Sequence, residues 1–323
     1  MNRQIQALSA ATLIALSAVM ASPARALAEE IRVNTYASQV NDVDSANNHW
    51  FETESGVVLI DAQRLLPEAE RALRHLRATT SRPVVAIVIT HAHTDHYGGL
   101  PVWTDAFPEA RVITDATTLQ SIRTDGRGFI AMRNQRHGDR FATRERLTKA
   151  VEAAEVVDVG DVLEIGGATL SFDVFGPSEA EATLLVTIED ANIAFVGDLI
   201  NVGAPAVPFE NVDNWLAQLD TLAARYGAAD RLHIGHGPSP VRVGEIAEQR
   251  RFLNALRGAV VAGLENDNVL DAAEIDRIVF DLEAAWPFLQ GVAGNTRREV
   301  LAFAAERVAL QLGSETADKD PNG

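Results

Sequence analysis

The run Pro83-Val-Val-Ala-Ile-Val-Ile-Thr90 is apolar without alternation and leads directly into His91-Ala92-His93-Thr94-Asp95-His96. A short stretch of this kind suits a central strand covered on both faces, which calls for a layered α/β architecture. Three imidazoles and a carboxylate within six residues at the end of such a strand are a density that a solvated loop does not need. In an extended or loosely turned backbone His91 and His93 point one way, while Asp95 and His96 can turn toward a second centre. Gly98-Gly99 then permits a tight turn into the following helix.

The surrounding pattern supports layers. Strands are expected at 31–36, 48–54 and 56–61, the last ending on Asp61, and Pro67 opens a helix with Ala69, Ala72, Leu73 and Leu76 on one face. From 100 to 149 the chain reads as mainly helical, with Arg123, Arg127, Arg133, Arg136, Arg140, Arg144 and Arg146 on what is expected to be a solvated face. An anionic substrate is the functional alternative for that region. Strands return at 155–159, 161–165, 168–175, 183–188 and 192–196, separated by glycine-rich breaks. A helix at 211–226, a strand at 231–236 and helices at 240–264, 270–284 and 295–312 follow.

Residues 1–28 have the layout of a cleavable secretory signal: Arg3, an apolar stretch from Ala7 to Met20, Pro23, and small residues at Ala24, Ala26 and Ala28. An exported protein, periplasmic or secreted, with no membrane attachment after cleavage is therefore expected. The expected organisation is the signal at 1–28, a catalytic domain at 31–240, a helical extension at 241–312 and a disordered tail at 313–323. The chain has 45 acidic against 28 basic residues and a formal charge of −17, the wrong sign for a nucleic-acid partner. With no cysteine, neither disulfides nor thiolate ligands are available. Any metal must be held by nitrogen and oxygen, a donor set that favours zinc and admits iron or manganese.

Thr90-His-Ala-His-Thr-Asp-His-Tyr-Gly-Gly99 resembles the T-H-x-H-x-D-H-x-G-G signature of the metallo-β-lactamase superfamily, a four-layer αβ/βα sandwich of two similar halves, here with a C-terminal helical extension. Further landmarks follow the same order. Asp61 resembles the family's buried acid beneath the metals, Val196-Gly197-Asp198 its bridging aspartate, and Gly235-His236-Gly237 its final histidine ligand. The resemblance implies His91, His93 and a third group at one metal, Asp95, His96 and His236 at a second, and Asp198 between them. It also implies catalytic roles for Asp95, as a proton acceptor, and Asp198. One landmark departs. Many members have Gly-x-His-Thr where this chain has Phe175-Gly-Pro-Ser-Glu-Ala-Glu-Ala-Thr183. Counting from Gly-Pro places Glu179 at the ligand position, with Glu181 the neighbouring alternative; a water in its place, or a single tightly held metal, are the others. Alkylsulfatase-like members are similar in using glutamate there.

Two cations sharing a hydroxide would lower the pKa of that water and polarise a scissile ester oxygen. The expected activity is thus zinc-dependent hydrolysis of a small molecule with an ester-like bond: a lactone, carboxylic ester or sulfate ester. The alternatives are a β-lactamase and, in another class, a metal-free binding module that keeps the fold. A diiron redox protein would need a flavodoxin-like segment after His236, and none follows. His233 is expected to be a satisfied core histidine, His75 to be solvated, and His49 to lie near the start of the fold. The helices after residue 240 are expected to cover part of the fold or to make a homodimer contact.

Overall fold

In the computed structural model, which describes residues 31–37, 46–226, 231–265, 269–292 and 294–319, two sheets pack face to face. The first has the order β1 (Val33–Tyr36), β2 (Asn48–Glu52), β3 (Val57–Ile60), β4 (Val84–Val88), β5 (Arg111–Thr114) and β6 (Glu155–Val156). Its first three strands are antiparallel neighbours, and β3 through β6 run parallel. The second sheet uses β7 (Val162–Ile165), β8 (Ala168–Phe175), β9 (Thr183–Ile188), β10 (Ile193–Phe195) and β11 (Arg231–His233) in the order β11-β10-β9-β8-β7. The expected signal, 1–28, and the end of the expected tail, 320–323, lie outside the described residues.

Strand periodicity explains the layers. Along β3, Val57 and Leu59 face the outer helices while Val58 and Ile60 face the other sheet. Ala86 and Val88 of β4 likewise point inward, and Val84, Ile87 and Ile89 point outward. Both faces of β4 are therefore buried, as its unbroken apolar run requires. The inner layer closes with Leu170, Phe172, Leu184, Val186 and Phe195 from the second sheet.

Helix α1 (Leu66–Thr79) covers the first sheet through Ala69, Ala72, Leu73 and Leu76. Its N-cap, Leu65, makes no side-chain cap bond. The loss of about 1 kcal/mol for a missing cap is outweighed by burying Leu73 and Leu76, worth roughly 1.5–3 kcal/mol each. Beyond β4 come α2 (Thr94–Tyr97), α3 (Leu100–Ala106), α4 (Ala116–Thr124), α5 (Phe129–His137) and α6 (Arg144–Ala150). The stretch expected to be mainly helical thus contains β5, which ends one helix and starts the next. Val112 and Ile113 of that strand enter different cores, and four residues are too few to display a period.

The fourth layer is α7 (Val212–Tyr226) with α8 (Gly244–Leu264), α9 (Ala272–Ala285) and α10 (Arg297–Lys319). Trp215, Leu219 and Leu222 of α7 share one core with Leu253, Leu256, Leu301 and Val308 of the later helices and with Val196 and Leu232 of the sheet. No helix among the described residues is long and apolar enough to cross a membrane.

Candidate metal centre

The loops after β3, β4, β8, β10 and β11 converge where the two sheets meet. An isolated bridge pairs His91 with Thr183 at the start of β9, and Leu184 N–H donates to the Thr90 carbonyl at 2.7 Å. His93 precedes α2 in extended conformation, and Asp95 and His96 lie within that helix. Asp198 lies in the 3-10 turn Gly197–Leu199 after β10. His236 follows β11, which ends at His233, three residues before the expected strand end; the Asn47 side chain donates to the Ile234 and Gly237 carbonyls at 3.0 Å each.

Two clusters of donors result. The ligand atoms of His91, His93, Glu179 and Asp198 lie within 4.8 Å of one another, as do those of Asp95, His96 and His236. His93 Nδ1 is 3.0 Å from Glu179 Oε1, and His91 Nε2 is 3.7 Å from Glu179 Oε2. Asp198 Oδ2 stands between the clusters, 3.8 Å from His91 Nε2, 3.4 Å from His96 Nε2 and 3.0 Å from His236 Nε2. His236 Nε2 is also 3.2 Å from Asp95 Oδ2. Glu181 goes elsewhere: it accepts from Ser121 Oγ at 2.7 Å and pairs with Arg127.

Asp61, buried at the end of β3 with a left-handed φ of 62°, organises two of the imidazoles. Its carboxylate accepts from His96 Nδ1 at 2.8 Å, which turns His96 Nε2 toward Asp198 as the nitrogen a metal would take once its proton leaves. It also accepts from Thr90 N–H at 2.9 Å and from the Thr90 hydroxyl. That hydroxyl, its proton spent on Asp61, accepts from His91 Nδ1 at 3.0 Å and so frees His91 Nε2 in the same way.

The donor set fits a divalent cation. Nε2 of His91 and His96, Oε2 of Glu179 and Oδ1 of Asp198 are buried without a hydrogen-bond partner. Such groups cost free energy unless something satisfies them. Three buried carboxylates, Asp95, Glu179 and Asp198, also face one another with Arg64 as the guanidinium among them, 3.0 Å from Asp95. Nitrogen and oxygen ligands converging on one point are what a divalent metal needs.

The electrostatics agree. Burial works against a charge on His96, but Asp198 and Asp61 overcome it and raise its pKa well above the ordinary histidine value. His236, also opposed by burial, is pushed up to about 10 by Asp198 and Asp95. Burial, helped by the charge of His96, holds His91 well below the ordinary value. Burial would raise Asp95, yet Arg64 and His236 bring it well below the usual carboxylate range. Protons on His96 and His236 therefore compete with any cation for the same nitrogens.

The cavity above the clusters has a volume of about 520 Å³. Sequence reasoning missed much of its wall. Arg64, Phe209 and Phe303 carry no local motif, and Arg133 was expected on a solvated face but lines the cavity. Burial and then the nearby Arg64 lower the Arg133 guanidinium to about 10. His49 and His233 sit in the core behind the site, with ring centroids 5.0 Å apart. His49 is fixed by the Ile234 carbonyl at 2.9 Å and the Thr35 hydroxyl at 2.9 Å, and His233 lies 3.2 Å from Ser239 Oγ. His75 is exposed, as expected, with its ring against Tyr36 and Trp50.

Residues 41–236 match the model of a family described as the metallo-beta-lactamase superfamily. A 62-residue stretch is 40% identical to an (R)-specific secondary-alkylsulfatase from Pseudomonas sp., covering 19% of this chain and 9% of that protein. This chain thus matches only a small part of that relative. Among solved structures, a metallo-beta-lactamase family protein from Thermus thermophilus superposes with a TM-score of 0.62 at 19% identity, over 90% of this chain and 94% of that one. A stereoselective inverting sec-alkylsulfatase from Pseudomonas sp. gives 0.60 at 18% identity, over 93% of this chain and 54% of that one. At these identities the structural likeness speaks to the fold.

Proposed function

The chain belongs to the metallo-β-lactamase superfamily, and we propose that it is a hydrolase that holds two zinc ions in its donor clusters and cleaves an ester-type bond, with a sulfate monoester as the preferred substrate. The observation that carries the choice is Glu179, whose carboxylate stands in the His91 and His93 cluster. The local similarity to an alkylsulfatase supports the same choice. Carboxylic esters and lactones are the next candidates.

His91, His93 and Glu179 are assigned to one ion, Asp95, His96 and His236 to the other, and Asp198 to both. Cations in such a donor set supply Lewis-acid activation of water and of the scissile oxygen. The protein's own part is positioning. Asp61 holds His96 directly and His91 through Thr90, so neither imidazole needs to reorient. Arg64 keeps Asp95 ionised, the form in which its carboxylate can hold a metal. The buried floor of the cavity excludes bulk water and strengthens each of these interactions.

The leader-like segment 1–28 supports a place outside the cytoplasm, and intact mass of the exported chain reads its removal. The activity is tested by a hydrolysis screen of alkyl sulfate, aryl ester, lactone and β-lactam substrates, with metal content measured in parallel. Alkyl sulfate turnover that a chelator abolishes and zinc restores is the expected result. Turnover of β-lactams alone, or less than half an equivalent of metal with no activity restored by added metal, would refute the proposal.

A further inference from the structure

Arg127, beside the site, is spent on the carboxylates of Glu181 and Glu210. Arg133 differs. It is half-buried on α5, its Nε donates to Thr94 Oγ1 at 3.1 Å, and among the described residues it pairs with no carboxylate. In a chain with 45 acids against 28 bases, an unpaired guanidinium lining a cavity is out of keeping with simple charge balance. Arg64, 3% exposed, lines the same cavity; one Nη reaches Asp95, while its Nε and other Nη have no partner. Donors in that condition call for an acceptor. Glu299 also lines the cavity, but its carboxylate is turned back to its own helix, accepting from Thr296 N–H at 2.6 Å and from the Thr296 hydroxyl at 2.8 Å.

Other parts of the wall are apolar. Phe209 packs edge-on against His93 with centroids 4.9 Å apart, and Phe303 of α10 packs against Phe209 at 5.7 Å. Val207, Val300 and Met132 extend the surface, and Phe303 is 42% exposed. The aromatic rings thus lead from the metal cluster toward solvent. The last helix holds this wall in place, since Gln311 donates to the Pro208 carbonyl at 2.7 Å and Arg307 donates to that of Phe209.

We propose that the cavity is a two-part receptor for an amphiphilic organic anion, in which Arg133, backed by Arg64, receives the charged group and Phe209 with Phe303 holds the hydrocarbon part. This rests on the hydrolytic reading of the same site. A guanidinium presents paired donors to an oxyanion such as sulfate, and partial burial makes that contact stronger than in water.

The test is calorimetry of the metal-loaded full chain with non-hydrolysable n-alkyl sulfonates of increasing length and with a neutral alcohol of matched length. Wild type should tighten with each added methylene, by up to about fourfold. Arg133→Gln should weaken every sulfonate by about tenfold or more and leave the alcohol within about twofold, with Arg133→Lys recovering part of the loss. Phe303→Ala, at a side chain 42% exposed, should flatten the length dependence while sparing the shortest sulfonate.

Equal sulfonate affinity in wild type and Arg133→Gln, equal losses for charged and neutral ligands, or an unchanged length dependence in Phe303→Ala would each overturn the proposal. The two readings fail separately. If sulfonates bind in the expected pattern but no ester is hydrolysed, the receptor stands and the proposed activity falls. If esters are hydrolysed but binding is blind to charge, the activity stands and the receptor falls.

Discussion

Glu179 and Glu181 are two residues apart, yet the turn before β9 sends the first carboxylate to His93 and the second to Ser121 and Arg127. The spacing from Gly-Pro named both as candidates, and side-chain direction separates them. Glu179→Ala should weaken metal binding by at least about tenfold, the scale seen even when groups behind a ligand are lost. Glu181→Ala should leave it within about twofold. Metal content after dialysis against a graded chelator reads both, and metal lost only from Glu181→Ala would overturn the assignment. Asp61 was legible as an acid ending an apolar run, and as a buried one only through the family resemblance, while its hold on two imidazoles rests on contacts across 29 and 35 residues of sequence.

At the scale of elements, several glycines are set by how closely the site loops pass one another. A Cβ on Gly235 would lie 2.0 Å from Asp198 Oδ1 and 2.8 Å from His96 Cε1. Gly98-Gly99 was expected to serve a tight turn. Both residues in fact have ordinary helical backbone, φ −58° and −86°. Their Cβ atoms would instead strike the Arg64 and Ala62 carbonyls at 2.2 Å, so the requirement is the close approach of α2 and α3 to the chain after β3. Gly235→Ala should push Asp198 out of place, lower metal affinity and destabilise the fold by about 1–3 kcal/mol. Gly244→Ala, where a Cβ meets nothing within 4 Å, is the control and should change neither. Chelator competition and thermal midpoints measure the pair. A Gly235→Ala protein with wild-type metal affinity would show that the loop gives way freely.

Across the whole molecule, burial decides how stability responds to pH. His49 is lowered to about 4, and His233 to about 3, in each case chiefly by burial. Their unfolded values lie near 6.5, so the unfolded chain takes up these protons first as the pH falls. The stability each contributes is complete above pH 6.5 and is lost as the pH drops toward 4 and 3. His96 and His236, raised by their carboxylates, act in the opposite sense in metal-free protein. The His49 contribution is therefore isolated by difference. The stability of chelated wild type relative to His49→Gln should fall by on the order of 3 kcal/mol between pH 7.5 and 4. Urea midpoints across that range measure it, and a difference that grows on acidification would contradict the sign.

The sequence by itself determined the layered α/β class and the ligand types, because both are written in short contiguous stretches. An apolar run of eight residues fixes a strand's burial, and His91 to His96 holds its donors within a turn and a half of chain. Asp198, His236 and the pair of candidate glutamates were named through the family resemblance, whose landmarks fall at strand ends in chain order, and the structure then separated Glu179 from Glu181. Only the tertiary structure decided β5, the reason for the glycine pair, and the wall of the cavity. Arg64, Arg133, Phe209 and Phe303 come from four separated segments and acquire meaning only when α5 and α10 close over the metal cluster. Chemistry that one strand end can present is readable in sequence order, whereas a pocket is defined by surfaces whose neighbours along the chain are not their neighbours in space.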